Sequence, residues 1–377
     1  MKYLIHLILL TGSLLPLHAA FGDDKPELVL EDGEFELTIP FLLFNGDTFR
    51  VNLHTPEDSD DLFFIVDLQS VAPVENIEEE EEEDIVLDIA DGACTASSNA
   101  AFLSCQAEIE EEYLIARGNC FNQTGSLAMV SCESLARAAM EEAEEECDDQ
   151  FEARLALCAV IGEDPYDPVM SPSNFVTVEE MIANPNPWLP LVPGNQWIYE
   201  AEDEVITVTV TEDTREILGI ESIVVHDVVM ADGELIEDTD DWYAQDLDGN
   251  VWYMGEIARN YEDGRLADLD GSWEAGVNGA KAGILFRGNP VVGETLRQEF
   301  LLGEAEDIGE TLSVTANETS GEDAGVACQE NCLQVLEYTP VEPDVAEEKF
   351  YYPGIGKILS IDLEEGIREE LIEYSVQ

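Results

Sequence analysis

Basic residues are scarce in this chain. Fifteen lysines and arginines stand against 85 aspartates and glutamates in 377 residues, a formal charge of −70 at pH 7. Such a surface repels phosphate backbones and anionic lipid, which excludes nucleic acid as a partner. It favours divalent cations, a basic partner protein or a salty medium. Histidine is nearly as rare, with four in the chain. His6 and His18 lie in the first twenty residues, which leaves His54 and His226, both on expected strands. Metal sites built on two or three histidines, and Ser–His or Cys–His nucleophilic machinery, are excluded or strained. No G-x-S-x-G, G-x-x-x-x-G-K or dinucleotide fingerprint occurs. Past the first twenty residues no apolar run reaches the roughly 18 residues that a membrane span requires.

What is present begins with an export signature. Lys2, the apolar stretch Leu4–Leu10 with Leu14 and Leu15, and the small pair Ala19-Ala20 read as a secretory signal over 1–20. The mature protein is expected in the periplasm or outside the cell, with no membrane span. An oxidising compartment preserves disulfides, and all eight cysteines lie beyond the signal. Tetrahedral zinc is the competing reading, but six of the eight lack the usual C-x(2–4)-C spacing. Disorder would suit the charge, yet 45% apolar residues in patterned runs oppose it for most of the chain.

Six cysteines, Cys94, Cys105, Cys120, Cys132, Cys147 and Cys158, are spaced as a palindrome of 11, 15, 12, 15 and 11 residues. On an α-helix, steps of 11 and 15 are close to three and four whole turns, so each half carries its cysteines on one face. The centre holds Gly118, Asn119, Asn122 and Gly125, which favour a turn. Folding there predicts an antiparallel helical hairpin over 91–162 with nested disulfides Cys94–Cys158, Cys105–Cys147 and Cys120–Cys132. Ser98, Ala101, Phe102, Ile109, Tyr113 and Ala116 continue the inner stripe of the first helix. Leu135, Ala136, Ala139, Ala143, Phe151 and Leu155 do so in the second. The outer face sets acid against acid from Glu141 to Asp149, each i,i+4 pair costing about 0.2–0.5 kcal/mol. A disulfide contributes about 2–4 kcal/mol, so the crosslinks outweigh the repulsion.

Before the hairpin, 21–74 reads as a small antiparallel β unit. Phe35, Leu37 and Ile39, and again Phe49, Val51 and Leu53, alternate with polar neighbours, and Asp32-Gly33 and Asn45-Gly46 are turn pairs. The acid block Glu78–Asp84 makes 75–90 a linker. After the hairpin, 163–187 is a proline-rich connector. From 188 to 377 the pattern is β almost throughout: Val208 and Val210 alternate with threonines, and Asp232-Gly233, Asp248-Gly249, Asp263-Gly264, Asp270-Gly271 and Asn278-Gly279 punctuate a meander. With no helices between the strands, the expectation is an antiparallel sandwich or open barrel. Overall the chain is multidomain α+β. Four segments, N-P-W-L-P-L-V-P-G-N-Q-W-I-Y-E (186–200), D-W-Y-A-Q-D-L-D-G-N-V-W-Y-M-G (241–255), G-S-W-E-A-G (271–276) and Y-Y-P-G-I-G (351–356), resemble secreted bacterial β-domain proteins of no known activity. That resemblance implies a β fold for most of 160–377 and brings no chemistry.

Asp246, Asp248 and Asn250 mimic the opening of a calcium loop, with Asp240 as a further ligand if the strands pair. Counting from Asp246, position six is Val251 and position twelve is Ile257, neither the Gly nor the acid of a helix-loop-helix site. The alternatives are a hairpin turn or a calcium site of another kind. Cys328 and Cys332 are expected to close a small loop as a disulfide. With no catalytic constellation, the expected function is that of an exported, highly acidic, non-enzymatic binding or structural protein taking up divalent cations, calcium foremost. The alternatives are a β-barrel-like carrier of an apolar ligand and a hydrolase working through paired carboxylates.

Overall fold

The computed structural model describes residues 92–377 throughout and, before them, the backbone of several short strands. Two units result, Met1–Ile85 and Val86–Gln377. In the first, β1 (His6–Leu9) pairs with β2 (Ser13–Pro16). An antiparallel sheet follows, of β3 (Glu27–Glu31), β4 (Glu34–Thr38), β5 (Leu42–Leu43), β6 (Asp47–His54) and β7 (Ile65–Ser70). Its registers set Glu31 opposite Glu34 and Leu43 opposite Asp47, at the two expected turns. The signal expected over 1–20, the backbone of β1 and β2 apart, and the linker expected over 75–90 lie outside the described residues, as does Ile39.

The second unit joins the hairpin to the large β domain. Helices α1 (Ala93–Cys120) and α2 (Ser126–Ile161) run antiparallel, closed by Cys94–Cys158, Cys105–Cys147 and Cys120–Cys132 with Cα separations of 5.7, 6.0 and 5.5 Å. Phe102 stacks on Phe151 at 4.8 Å between centroids. The inner stripe of α2 runs through Ala136, Cys147, Arg154 and Cys158, all buried. Leu135 and Ala139 leave it: Leu135 is 70% exposed, and Ala139 is exposed as well. Leu135 sits one position before Ala136 and Ala139 one position before the half-buried Met140, and one position on a helix is about 100° round the axis.

The connector carries more structure than its prolines suggest. A short 3-10 turn at Pro172–Asn174 precedes α3 (Val178–Ala183), which starts with a capping box: Thr177 Oγ1 accepts from the Glu180 amide at 3.2 Å, and the Thr177 amide donates to Glu180 Oε2 at 3.0 Å. Met181 on α3 is 1% exposed and enters the core.

One antiparallel sheet forms the rest. In chain order its strands are β8 (Gln196–Ala201), β9 (Glu204–Ile217), β10 (Ile220–Ala231), β11 (Glu234–Gln245), β12 (Val251–Glu262), β13 (Arg265–Asp268), β14 (Trp273–Glu274), β15 (Lys281–Phe286), β16 (Thr295–Arg297), β17 (Glu299–Phe300), β18 (Ile308–Ala316), β19 (Cys332–Tyr338), β20 (Ala346–Tyr352), β21 (Gly356–Asp362) and β22 (Arg368–Ser375). Sequence neighbours pair from β8 to β12 and from β18 to β22, β13, β14 and β15 each pair with β12, and the last strand, β22, pairs with the first, β8. The remaining gap falls at Gln298: β16 pairs with β18 while β17 pairs with β15, so the two ends of the sheet are one residue apart in the chain. The sheet therefore nearly closes into a barrel, not the sandwich that the pattern equally allowed. Near-closure leaves only the short β16 and β17 as the ends of the path. Gly283 makes the seam possible, since a Cβ there would lie 2.0 Å from the Gln298 carbonyl oxygen.

Strand direction separates two ends. At one end, the base, Asn186 is buried and ties the connector to the wall: its amide donates to Gln245 Oε1 at 3.0 Å and its Nδ2 to the Gly249 carbonyl at 2.9 Å. Asn195, fully buried, donates to the Pro190 carbonyl and accepts from the Gln377 amide. Trp197 Nε1 donates to the Ile355 carbonyl at 2.6 Å. Met181, Leu191, Phe286, Tyr351 and the Cys328–Cys332 disulfide complete an apolar plug. At the other end, the mouth, the β8–β9, β10–β11 and β12–β13 turns carry Glu202-Asp203, Asp232-Gly233 and Asp263-Gly264.

The hairpin docks on the outside of the wall, over the seam. Arg154 on α2 and Glu306 before β18 are 3% and 2% exposed, and Glu306 Oε1 accepts from Arg154 Nη2 at 2.8 Å, Arg154 Nε at 3.0 Å and the Gly303 amide at 2.9 Å. Tyr166 OH donates to the Ala282 carbonyl of β15 at 2.9 Å, and the Arg297 guanidinium lies over the Tyr166 and Phe300 rings.

Candidate functional site: the acid-lined interior of the barrel

The inner face follows from strand alternation. Val225 on β10, Asp241 on β11 and Glu256 on β12 stand opposite one another in one row, and Asp227, Thr239 and Ala258 form the next row towards the mouth. Glu237 and Val229 pair one row further on. Across the lumen, Glu337 on β19 and Glu347 and Lys349 on β20 share a face with Tyr351. Water reaches this lining: Glu337, Lys349 and Lys357 keep 13%, 21% and 21% of their side-chain surface.

The far wall neutralises its own acids. Lys349 Nζ lies 2.5 Å from Glu337 Oε2 and 3.1 Å from Glu347 Oε2, and Lys357 Nζ lies 2.6 Å from Glu369 Oε1. Burial works against the Lys349 ammonium, but Glu337 and Glu347 more than offset it and hold its pKa well above the usual value. Lys357 also stands 4.5 Å over the Tyr199 ring.

On the near wall acid faces acid. Tyr253 OH lies within hydrogen-bond reach of both Asp241 Oδ1 and Glu256 Oε2 (2.9 Å to the latter). A phenol has one proton to donate, so with both carboxyls ionised one of these contacts would set two lone pairs against each other. One extra proton shared by the two carboxyls would satisfy both contacts. Consistent with that, burial pushes Asp241 well above the carboxylate range, with Glu256 adding to the effect. Burial raises Glu256 to about 7, against the Tyr253 hydrogen bond, with Glu237 and Asp307 contributing. Asp227 and Asp307 are each raised to about 6, chiefly by burial, against the pull of Lys357 and Lys349 respectively. Glu299 is 7% exposed and raised well above its usual value by burial, then by Asp307 and Glu256. Among the described residues, Asp227 Oδ1 and Glu299 Oε2 have no hydrogen-bond partner. This group offers carboxylate oxygens from separate strands with too few cations beside them, the donor chemistry of hard cations, but no three of the oxygens lie within 4.8 Å of one another, so a shared ion would have to draw them together.

The residues singled out from sequence sit elsewhere. Asp246 uses its carboxylate to build the β11–β12 turn: Oδ1 accepts from the Asp248 and Asn250 amides, both at 2.9 Å, and Oδ2 from Asn250 Nδ2 at 2.7 Å and Trp252 Nε1 at 2.9 Å. Asn250 Oδ1 accepts from the Gly288 amide at 3.0 Å, and Asp248 stays exposed. Asp240 lies on the outer face, where its Oδ2 accepts from Arg259 Nη2 at 2.9 Å. Six residues of extended chain, roughly 20 Å, separate it from Asp246, so the structure does not bring the four together. His226 is also outside, its Nε2 3.3 Å from Asp238 Oδ1. Among the described residues, one cluster of metal-ligand type is compact enough to share an ion: Cys94, Cys158 and Glu163. Its two sulfurs are already joined, and Glu163 accepts from the Thr95 amide and hydroxyl at the start of α1.

Sequence reasoning missed the interior acids because acids are everywhere in the chain. One signal was available. Asp227 interrupts the apolar run Ile223–Met230 on the face shared by Val225 and Val229, and a lone carboxylate on an apolar face points inward. Outside the barrel, a groove of about 430 Å³ between the hairpin base and the wall is lined by Tyr166, Trp252, Ile284, Arg297 and Phe300 among others. No protein-family model, curated protein or solved structure matches this chain.

Proposed function

We propose that this is an exported, non-enzymatic binding protein whose barrel interior takes up a divalent cation, with calcium as the natural candidate. One observation carries the reading: Asp227, Asp241, Glu256 and Glu299 stand on four strands of a wall whose inner face carries no lysine, and among the described residues Asp227 Oδ1 and Glu299 Oε2 have no hydrogen-bond partner. Carboxyls that keep protons near neutral pH for want of a counterion exchange those protons for a cation. The acidic turns at the mouth concentrate cations at the entrance, and the same charge would attract a basic partner protein. Four disulfides fit an oxidising compartment, and no helix among the described residues is long and apolar enough to cross a membrane. Periplasm or extracellular space is the expected location. Carboxyl and phenol groups on the inner face weigh against an apolar ligand. The Tyr253 hydroxyl engages both Asp241 and Glu256, so neither carboxyl stands free to face a scissile bond.

Calorimetric titration with calcium in two buffers of different ionisation enthalpy tests this. Binding accompanied by proton release, lost in Asp241→Asn/Glu256→Gln, is the expected result. Absence of any calcium-dependent heat or melting shift at millimolar concentration, beyond an ionic-strength control, would overturn it.

A further inference from the structure

The groove between the hairpin base and the wall holds a cation that the fold leaves unanswered. Most described lysines and arginines sit against a carboxylate. Among the described residues Arg137, Arg265 and Arg297 have no such partner; the first two are exposed to water, whereas Arg297 is half-buried. Arg297 Nε and Nη1 are shut off from water and have no hydrogen-bond partner among the described residues. The Phe300 and Tyr166 rings, 4.6 and 5.6 Å from its Cζ, satisfy the face of the guanidinium. They offer nothing to its N–H edge, which has lost water without gaining an acceptor.

Charge at this junction does not cancel. Glu306 is taken by Arg154, and Arg287 Nε and Nη2 donate to Glu294 Oε1 at 3.1 and 2.9 Å, which leaves three guanidiniums to two carboxylates. Asp164, the one acid among the described lining residues, is exposed and forms no ion pair with Arg297. Burial draws the Arg297 pKa down, with Glu306 and Tyr166 pulling the other way, yet a guanidinium keeps its proton in a protein. Much of the remaining lining is apolar, Trp252, Ile284, Leu296 and Phe300 included. Other contacts hold these walls in place: Trp252 Nε1 donates to Asp246 Oδ2 at 2.9 Å, and Tyr166 meets Phe300 edge-on at 5.8 Å. The space is formed before any ligand arrives.

We infer that this groove binds a small organic acid of single negative charge, its carboxylate on Arg297 and its apolar body against Trp252, Ile284, Leu296 and Phe300. Three observations select that class. The volume of about 430 Å³ lies in the range of small-molecule sites. One unpaired guanidinium matches one carboxylate, in the planar geometry that arginine favours. A phosphate ester carries close to two charges at neutral pH; it would leave part of that charge unmet, and the field of a chain of −70 repels it more strongly. The groove lies outside the barrel, so this site is separate from the one proposed for cations.

The test titrates naphthaleneacetate, its carboxamide and naphthyl phosphate into the oxidised full-length protein by calorimetry, free of calcium and at physiological salt. Naphthaleneacetate is expected to bind about tenfold to a hundredfold more tightly than the carboxamide, the worth of hydrogen bonds to a charged group, and more tightly than the phosphate. Arg297→Met should weaken binding of the acid by a similar factor and leave the carboxamide unchanged. That variant removes an unpaired buried charge, so its melting temperature should hold within a few degrees; the comparison of acid with carboxamide on the wild-type protein stands without it. Equal affinity for acid and carboxamide, tighter binding of the phosphate, full affinity in Arg297→Met, or no heat with naphthaleneacetate at millimolar concentration overturns the proposal. Calcium uptake in the barrel involves none of these residues, so either result stands without the other.

Discussion

The hairpin and the barrel face the same difficulty, an excess of carboxylates, and meet it in opposite ways. The hairpin turns its acids outward and has little to bury: Ala101, Ile109, Ala136 and Leu157 are its buried apolar side chains besides cysteine. Three crosslinks make up the deficit. The barrel turns several acids inward and pays in protonation, while its ring of hydrogen-bonded strands and the plug of Met181, Leu191, Trp197 and Phe286 supply the stability. Repulsion on a rod in water is mild and screened, so covalent closure of a two-helix unit suffices. Charge enclosed by a sheet is screened far less, so it must find a lysine, a proton or a cation.

The sharpest way to break the comparison is reduction. Thiol reagent should unfold the hairpin and leave the barrel, because the hairpin loses three constraints of about 2–4 kcal/mol each, nested and so less than additive, while the barrel loses only the five-residue loop closed by Cys328–Cys332. Loss of far-UV helical signal with the tryptophan near-UV signal retained would show it, and joint collapse would refute it. Next in size is Arg154→Met, which leaves the Glu306 carboxylate buried without its partner and should cost about 3–5 kcal/mol. The melting temperature should recover in part in Arg154→Met/Glu306→Gln, where the stranded charge is gone.

Gly283→Ala addresses the barrel alone. Its added methyl meets the backbone of β16–β17, and a loss of about 1–3 kcal/mol or more is expected from overpacking at the seam. Equal stability by chemical denaturation would mean that the seam yields to a methyl group. The mildest effect is that of pH. Asp227, Glu256 and Asp307 have folded-state values of about 6, 7 and 6, above their ordinary values of 3.8, 4.5 and 3.8. The folded state therefore binds more protons than the unfolded state between about pH 4 and pH 7. Stability is greatest on the acid side of that window and falls as pH rises through 6–7. Melting temperature should drop by a few degrees from pH 5 to pH 8, and Glu256→Gln should flatten the slope. Surface repulsion has the same sign, but that substitution leaves it almost unchanged, so a slope identical to wild type would place the titration outside the barrel.

Legibility differed between the two regions for a physical reason. In the hairpin, helical periodicity links spacing to facing, and the six cysteines carry their own register; only residues one step off the stripe, such as Leu135 and Ala139, were misplaced. In the β domain, period-two alternation and Asp-Gly turns announce strands and hairpins but not what the two faces meet. Trp242 and Asp241 are neighbours, both acceptable on either side, yet one lies outside beneath Arg215 and the other inside beside Tyr253. Asp246 and its neighbours advertised a cation loop, and the acceptors proved to be used by their own turn.

The sequence by itself determined what is local: the paired helices and the sulfur bonds between them, the meander, and a surface hostile to anions. Tertiary structure decided whether the sheet closes, because that depends on Gly283 meeting Gln298 across the whole domain. It also decided which of 85 acids face one another, because a carboxylate becomes costly only where closure removes its water.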